Sequence, residues 1–268
     1  MLGSMVNFLS NLFYTLYSIY AFASFFVTLC LSFLFYGISI FFPERLRLKM
    51  IYHYNRVWLD AWGFFSGIVM ETRGKEHLDS QETYVIVGNH CNMLDIIIVG
   101  SRVTHPFKPL IKKELLAIPV LGAMLKIISV VVDRSSRQSR ILSYQRMKQT
   151  LKKNISILIF PEGTRNRSKL PLKPFYDGAF KLAIDAQVPI LPVALLNVRR
   201  MNPIGTFRFY PGRIVFQYLK AIPTQGLSQA DLPSIKKQVF EELEAIILAE
   251  DTFFNKNHPS PLSVLNNS

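Results

Sequence analysis

Acidic residues are scarce in this chain: 18 Asp and Glu stand against 31 Lys and Arg, a formal net charge of +13 over 268 residues. A surplus of that size draws anionic partners, either nucleic acid or anionic lipid. A nucleic-acid binder would show a module such as paired aromatics on a sheet or a Cys/His finger; neither occurs, and no nucleic-acid partner is expected. Cysteine is rarer still, with only Cys30 and Cys91. Two thiols make no disulfide framework and no metal-ligand cluster, and both are expected to be reduced. None of the five histidines lies in a His-Glu-x-x-His pattern, which argues against a metal enzyme. No Gly-x-Ser-x-Gly elbow is present to supply a serine nucleophile.

The absence that says most is one of charge. Met1 to Pro43 contains no Asp, Glu, Lys or Arg, and Phe8 to Phe42 is almost continuously apolar or aromatic. A helix rises about 1.5 Å per residue and a hydrocarbon core is about 30 Å thick, so this stretch either spans as one long tilted helix or folds back as two. A cleaved signal peptide does not fit a run this long with no basic start. The first charges after it are Glu44, Arg45, Arg47, Lys49 and Arg56. Juxtamembrane cations favour the cytoplasmic face, which places the remainder of the chain in the cytoplasm. Trp58 and Trp62 suit a helix at the headgroup level and suit a core equally well.

What is present beyond the apolar stretch is alternation. Short β-branched runs at 84–88, 127–132, 156–160, 189–195 and 213–219 are separated by helical patterns at 93–102, 114–125, 137–153 and 178–186, with a C-terminal amphipathic helix over 233–249. Strands alternating with helices imply an α/β fold, a mixed sheet flanked by helices and preceded by a hydrophobic membrane-anchoring segment. The expected organisation is an anchoring helical region at 1–66, an α/β domain at 67–254 and a flexible tail at 255–268. In open sheets, sites gather beyond the carboxyl ends of the strands.

Two clusters fall at such ends. In "VGNHCNMLD" (87–95) His90 directly follows a strand and Asp95 lies five residues on. Five residues of helix turn through about 500°, so the two side chains meet only if His90 stands outside the helix. A carboxylate on one ring nitrogen would fix the tautomer and leave the other nitrogen as a general base. In "ILIFPEGTRNRS" (157–168), Gly163 permits close backbone approach, Glu162 can hold a hydroxyl and Arg165 offers a planar fork to a phosphate.

These residues resemble the glycerolipid acyltransferases of the 1-acyl-sn-glycerol-3-phosphate (lysophosphatidic acid) acyltransferase type, marked by Asn-His-x4-Asp and Phe-Pro-Glu-Gly-Thr-Arg. Further matches are "KKELLAIPVLG" (112–122), "VVVDR" (130–134) and "VPILPV" (188–193), in the family's order. The resemblance implies that His90, oriented by Asp95, deprotonates a lysophospholipid hydroxyl that attacks an acyl thioester directly, with no acyl-enzyme. It implies acceptor binding by Glu162, Gly163, Thr164 and Arg165, assisted by Lys112; Arg134 is either a ligand contact or a structural ion pair. No cofactor or metal is implied, since acyl-CoA or acyl carrier protein serves as the donor substrate. The partners are membrane lipids, a lysophospholipid acceptor and that donor. The product would be phosphatidic acid; another lysolipid acceptor, a noncatalytic lipid-binding role or a lipid hydrolase are the competing readings. One segment departs from the family: "PFYDGAF" (174–180) carries Tyr176 and Asp177 where cations are expected, with Arg167, Lys169 and Lys173 as possible compensation.

Overall fold

The computed structural model describes residues 2–133 and 136–255. Two helices open the chain, α1 (Leu2–Ser39) and α2 (Glu44–Phe65). The uncharged run is therefore one helix, and Pro43 separates it from α2, the first charged one. Then follow β1 (Ile68–Arg73), β2 (Val85–Gly88), α3 (Asp95–Arg102), β3 (Phe107–Lys112), α4 (Leu121–Ile128), β4 (Val130–Val132), α5 (Arg137–Lys152), β5 (Ser156–Ile159), α6 (Gly178–Ala186), β6 (Ile190–Leu196), α7 (Val198–Met201), β7 (Gly212–Tyr218) and α8 (Leu232–Glu250).

Seven strands form one mixed sheet in the order β1-β7-β6-β2-β5-β3-β4. β6, β2, β5, β3 and β4 run parallel to one another, and β7 joins β6 antiparallel with β1 parallel at its outer side. Burial alternates with the period of two that a strand imposes. Tyr84, Ile86, Leu158, Leu191 and Val193 face the cluster built with α1 to α4. Val85, Val87, Ile157, Ile159 and Ala194 face the other, built with α5, α6 and α8. Side chains as buried as Ile86 and Val85, at 0 % exposure, contribute about 1.5–3 kcal/mol each when taken from water.

Two strands escape sequence patterning. β3 contains Pro109, which lacks an N–H for the ladder, yet Pro109 sits in register with Leu158. β1 is an edge strand ending in Glu71, Thr72 and Arg73, charges that suit an edge and hide the alternation. Conversely, the expected strand at 127–132 shortens to Val130–Val132 because Ile127 and Ile128 close α4. The expected helix at 114–125 splits into a 3-10 turn (Lys113–Ala117) and α4.

α2 is pinned to the sheet by Glu44, which takes Lys108 Nζ at 2.5 Å and Lys153 Nζ at 3.2 Å. Those two cations pull the Glu44 carboxyl below the usual range against the opposing effect of burial. Trp58 and Trp62, one helical turn apart, both meet Phe25 of α1, with ring centroids 5.3 and 5.2 Å away. They lie in the α1–α2 seam, where Trp62 Nε1 donates to Ser24 Oγ at 3.2 Å. The tail expected to be flexible falls, beyond Asn255, outside the described residues.

Candidate active site

β2 ends at Gly88, where an added Cβ would stand 3.0 Å from Val193 Cγ2 and 3.2 Å from its carbonyl. The next residue prolongs the ladder with its side chain: Asn89 Nδ2 donates to Leu195 O at 2.9 Å, and Leu195 N donates to Asn89 Oδ1 at 2.8 Å. The chain then turns, and His90 stands outside α3, whose first residue is Asp95. His90 Nδ1 lies 2.8 Å from Asp95 Oδ2. The same oxygen accepts the backbone N–H groups of Cys91 at 2.7 Å and Asn92 at 2.8 Å. Asp95 is wholly buried at the N-terminus of a helix, whose dipole favours the anion. A carboxylate oxygen only accepts, so in the neutral imidazole the nitrogen that faces it, Nδ1, is the protonated one and the lone pair is on Nε2.

The ring is fixed from the other side by Phe160, stacked at 4.3 Å between centroids and 14° between planes. Phe160 belongs to the loop after β5, and that loop braces the His90 backbone twice. Glu162 Oε1 accepts His90 N–H at 2.7 Å, and Asn166 N donates to His90 O at 2.6 Å. Cys91, beside the histidine, has its thiol pushed well above the ordinary range, chiefly by burial and then by the Asp95 charge. It stays a thiol and is no nucleophile.

A cavity of about 550 Å³ opens over the carboxyl ends of β2, β5 and β3, within the size range of small-molecule sites. It brings together His90, Lys112, Gly163, Thr164 and Arg165, with Arg167 beside them. Gly163 has φ +69°, a left-handed conformation that glycine adopts without strain. Lys173 Nζ donates to Thr164 Oγ1 at 2.7 Å, so a cation stands at this edge although Tyr176 and Asp177 replace the expected ones. Asp177 is occupied by Lys236 at 2.6 Å.

The cavity also has an apolar lining, which includes Met93, Ile96, Leu115, Ile118, Leu121 and Leu125. A tight turn shapes it: Leu121 N donates to Pro119 O at 2.7 Å, closing a three-residue γ-turn with Val120 at φ 62°, a strained conformation for a β-branched residue. Gly122 follows because an added Cβ would lie 2.3 Å from Leu116 O.

Glu162 does not stand where a hydroxyl holder would. It is buried, at 1 % exposure, and its second oxygen accepts Lys173 N at 2.9 Å. Both oxygens thus serve backbone N–H groups, and the carboxylate lies behind the site. Burial pushes its pKa up, opposed by those two donors. Arg134 lies outside the described residues.

Other supports carried no signal in the sequence. Asn92 Nδ2 donates to Asn202 Oδ1 at 2.8 Å, joining the His90 turn to the loop after α7. Arg199, 3 % exposed, donates from Nη1 to Ser168 O at 2.8 Å, with its guanidinium 5.7 and 5.2 Å from the Phe253 and Phe254 ring centres.

Comparison with known proteins bears on this geometry. Residues 69–196 match the family model described as Acyltransferase. The human 1-acyl-sn-glycerol-3-phosphate acyltransferase alpha is 33% identical over 178 residues, 66% of this chain and 62% of the relative's length. The human beta protein is 32% identical over 177 residues, 65% of this chain and 63% of its own length. The chain thus spans somewhat under two thirds of these relatives. The crystal structure of the 1-acyl-sn-glycerophosphate acyltransferase PlsC from Thermotoga maritima superposes with a TM-score of 0.70 at 22% identity, covering 91% of this chain and 97% of that one. That likeness establishes the mixed α/β fold with its long N-terminal apolar helix.

Proposed function

We propose that this chain, a member of the acyltransferase family through the module at residues 69–196, moves a fatty acyl group from a thioester to the sn-2 hydroxyl of 1-acyl-glycerol-3-phosphate, giving phosphatidic acid. The observation that carries the reading is the histidine itself. Its Nδ1 is committed to buried Asp95, while the ring lines a cavity that also takes in the Arg165 side chain and a set of apolar side chains.

In this reading Nε2 takes the proton of the acceptor hydroxyl as its oxygen bonds to the thioester carbonyl carbon. The C–S bond breaks as the tetrahedral intermediate collapses, and the imidazolium returns the proton to the departing thiolate. Asp95 holds the tautomer and steadies the transient positive charge. Arg165 receives the acceptor phosphate in its planar fork, with Lys112 and Arg167 adding charge. Gly163 and Thr164 shape the approach beside it. Glu162 acts through His90 and is a positioning residue. The apolar lining suits an acyl chain, and both acyl-CoA and acyl carrier protein are anionic donors that a basic surface attracts.

The same reading places α1 in a membrane. Met5–Ser39 is long and apolar enough to cross one. The face packed on the domain mixes Ser18, Ala21, Ser32 and Ser39 with Leu29 and Tyr36, whereas Phe8, Phe13, Phe26, Leu31 and Leu34 are exposed. An outer side of large apolar side chains that no protein covers suits a lipid solvent. Contacts with the rest of the chain run from Asn11, bonded to Arg208, to Tyr36, bonded to Asn55. A helix held along most of its length favours lying within one leaflet, with the catalytic module on the cytoplasmic side.

The decisive experiment offers the detergent-purified chain a panel of lysolipids with each donor and identifies the products by mass. Phosphatidic acid is expected, and His90→Ala is expected to cut turnover by ~10²–10⁴ with the fold intact. Free fatty acid in its place, or near-normal transfer by the variant, overturns the reading.

A further inference from the structure

The loop from Asn202 to Tyr210, between α7 and β7, presents an aromatic ring that the catalytic geometry does not use. Phe207 is 86 % exposed. It follows a tight turn in which Thr206 N donates to Pro203 O at 3.2 Å and Gly205 has φ +76°, so the ring stands at the tip of a hydrogen-bonded structure. The loop lies against α1. Phe209 N donates to Ser18 Oγ at 2.9 Å and Arg208 Nη1 to Asn11 Oδ1 at 3.0 Å. The Phe207 ring is 6.0 Å from that of Phe22, on the same helix.

Phe207 is therefore continuous with the exposed apolar side of α1. Near the same level of that helix lie Phe64 and Phe65, 81 and 72 % exposed, since Tyr20 hydroxyl donates to Phe65 O. Arg208, half-buried and bonded to Asn11 of α1, accompanies the aromatic band and suits the anionic headgroups that border an acyl layer. An exposed aromatic band beside a lipid-facing helix, with Arg208 next to it, fits one occupant, the interfacial layer of a bilayer.

We propose that the Asn202–Tyr210 loop is a second membrane-inserting element, with Phe207 seated in the same leaflet as α1. The inference rests on the membrane reading of α1 given above and adds to it a contact made by a loop between α7 and β7, outside the N-terminal helices. Its consequence runs through a relay of hydrogen bonds. Asn202 Nδ2 donates to Arg208 O at 2.9 Å, Asn92 Nδ2 donates to Asn202 Oδ1 at 2.8 Å, and Asn92 N donates to Asp95 Oδ2 at 2.8 Å. A ring anchored in lipid thereby fixes the height of the His90–Asp95 pair above the acyl layer.

The test uses the full chain with Cys30→Ser, leaving buried Cys91, reconstituted in phosphatidylcholine and phosphatidylglycerol vesicles. Single cysteines at Phe207→Cys, Leu16→Cys on the outer side of α1, and Lys237→Cys on α8 carry an environment-sensitive fluorophore. Blue-shifted emission, quenched by lipids with a nitroxide on the acyl chain, is expected at 207 and 16 and absent at 237. If 207 behaves like 237 while 16 is quenched, the loop is not inserted and the proposal falls while the membrane reading stands. If 16 also remains in water, the membrane reading falls with it. A second measurement reads the coupling: Phe207→Asp should lower transfer several-fold on vesicles and spare it in mixed micelles, where acceptor access does not depend on height. Equal loss in both media overturns the link between the loop and the dyad.

Discussion

Replacing Glu162 by glutamine separates two roles that a carboxylate beside an active-site histidine could have. The two oxygens of Glu162 each accept one backbone N–H, from His90 at 2.7 Å and Lys173 at 2.9 Å, and the group is buried. An amide keeps one acceptor and turns the other into a donor, so one of those N–H groups is left buried and unpaired at a cost of about 1–3 kcal/mol. Release of His90 N–H shifts the ring against the acceptor oxygen, and a displacement of ~1 Å costs up to ~10² in rate. The expected result of Glu162→Gln is therefore a fall in kcat of ~10–10² with the KM for lysophosphatidic acid nearly unchanged, measured by steady-state transfer in mixed micelles. A rise in KM at constant kcat would refute this reasoning and return Glu162 to the acceptor. The pH dependence supplies an independent check. Because burial raises the folded pKa of Glu162 above its ordinary value, the folded chain keeps a proton there that the unfolded chain has lost. Stability therefore decreases as pH rises from the ordinary carboxylate pKa to the raised one, and is level above it. The variant removes this titration, so its unfolding midpoint should depend less steeply on pH in that window, the difference from wild type isolating Glu162 from Asp251, which burial also raises.

Asp95→Asn can keep one oxygen for His90 Nδ1 and the Cys91 and Asn92 N–H groups but loses the charge that steadies the imidazolium, and should reduce kcat by ~10²–10⁴ while thermal unfolding moves little. An activity within a few-fold of wild type would show that the Asp95 charge does not support the reaction. Arg165→Ala should raise KM more for an acceptor with a phosphate than for a neutral lysolipid, since it removes a charge-assisted contact; equal effects on both acceptors would remove Arg165 from the phosphate.

How much of the fold the sequence shows depends on how local its determinants are. β2, β5 and β6 are short β-branched runs buried on both faces, and central parallel strands write that pattern whatever surrounds them. β1 and β3 do not, because an edge position admits Glu71 and Arg73, and β3 contains Pro109, a residue that cannot donate to a ladder. α1 illustrates the opposite limit. Its length is plain from the missing charge, but which side meets protein is decided by tertiary contacts such as Ser18 with Phe209 and Tyr36 with Asn55, between residues far apart in the chain.

The site divides along the same line. His90 and Asp95 are legible because five residues of chain bring them together almost regardless of the rest. Arg165 with Lys112 needs only the rule that adjacent parallel strands deliver their following loops to one edge. The role of Glu162 was not legible, since an acid after a strand reads equally as a substrate ligand or as a brace. What decides is whether a backbone from 72 residues away, that of His90, arrives within 2.7 Å. Asn166 on His90 O, Asn202 on Asn92 and Arg199 on Ser168 are likewise polar side chains or backbone groups that satisfy partners brought close only by folding. Chemistry-bearing pairs near in sequence announce themselves, whereas the groups that hold them still become visible once buried donors and acceptors are matched one by one, because a buried polar group without a partner is too costly to leave.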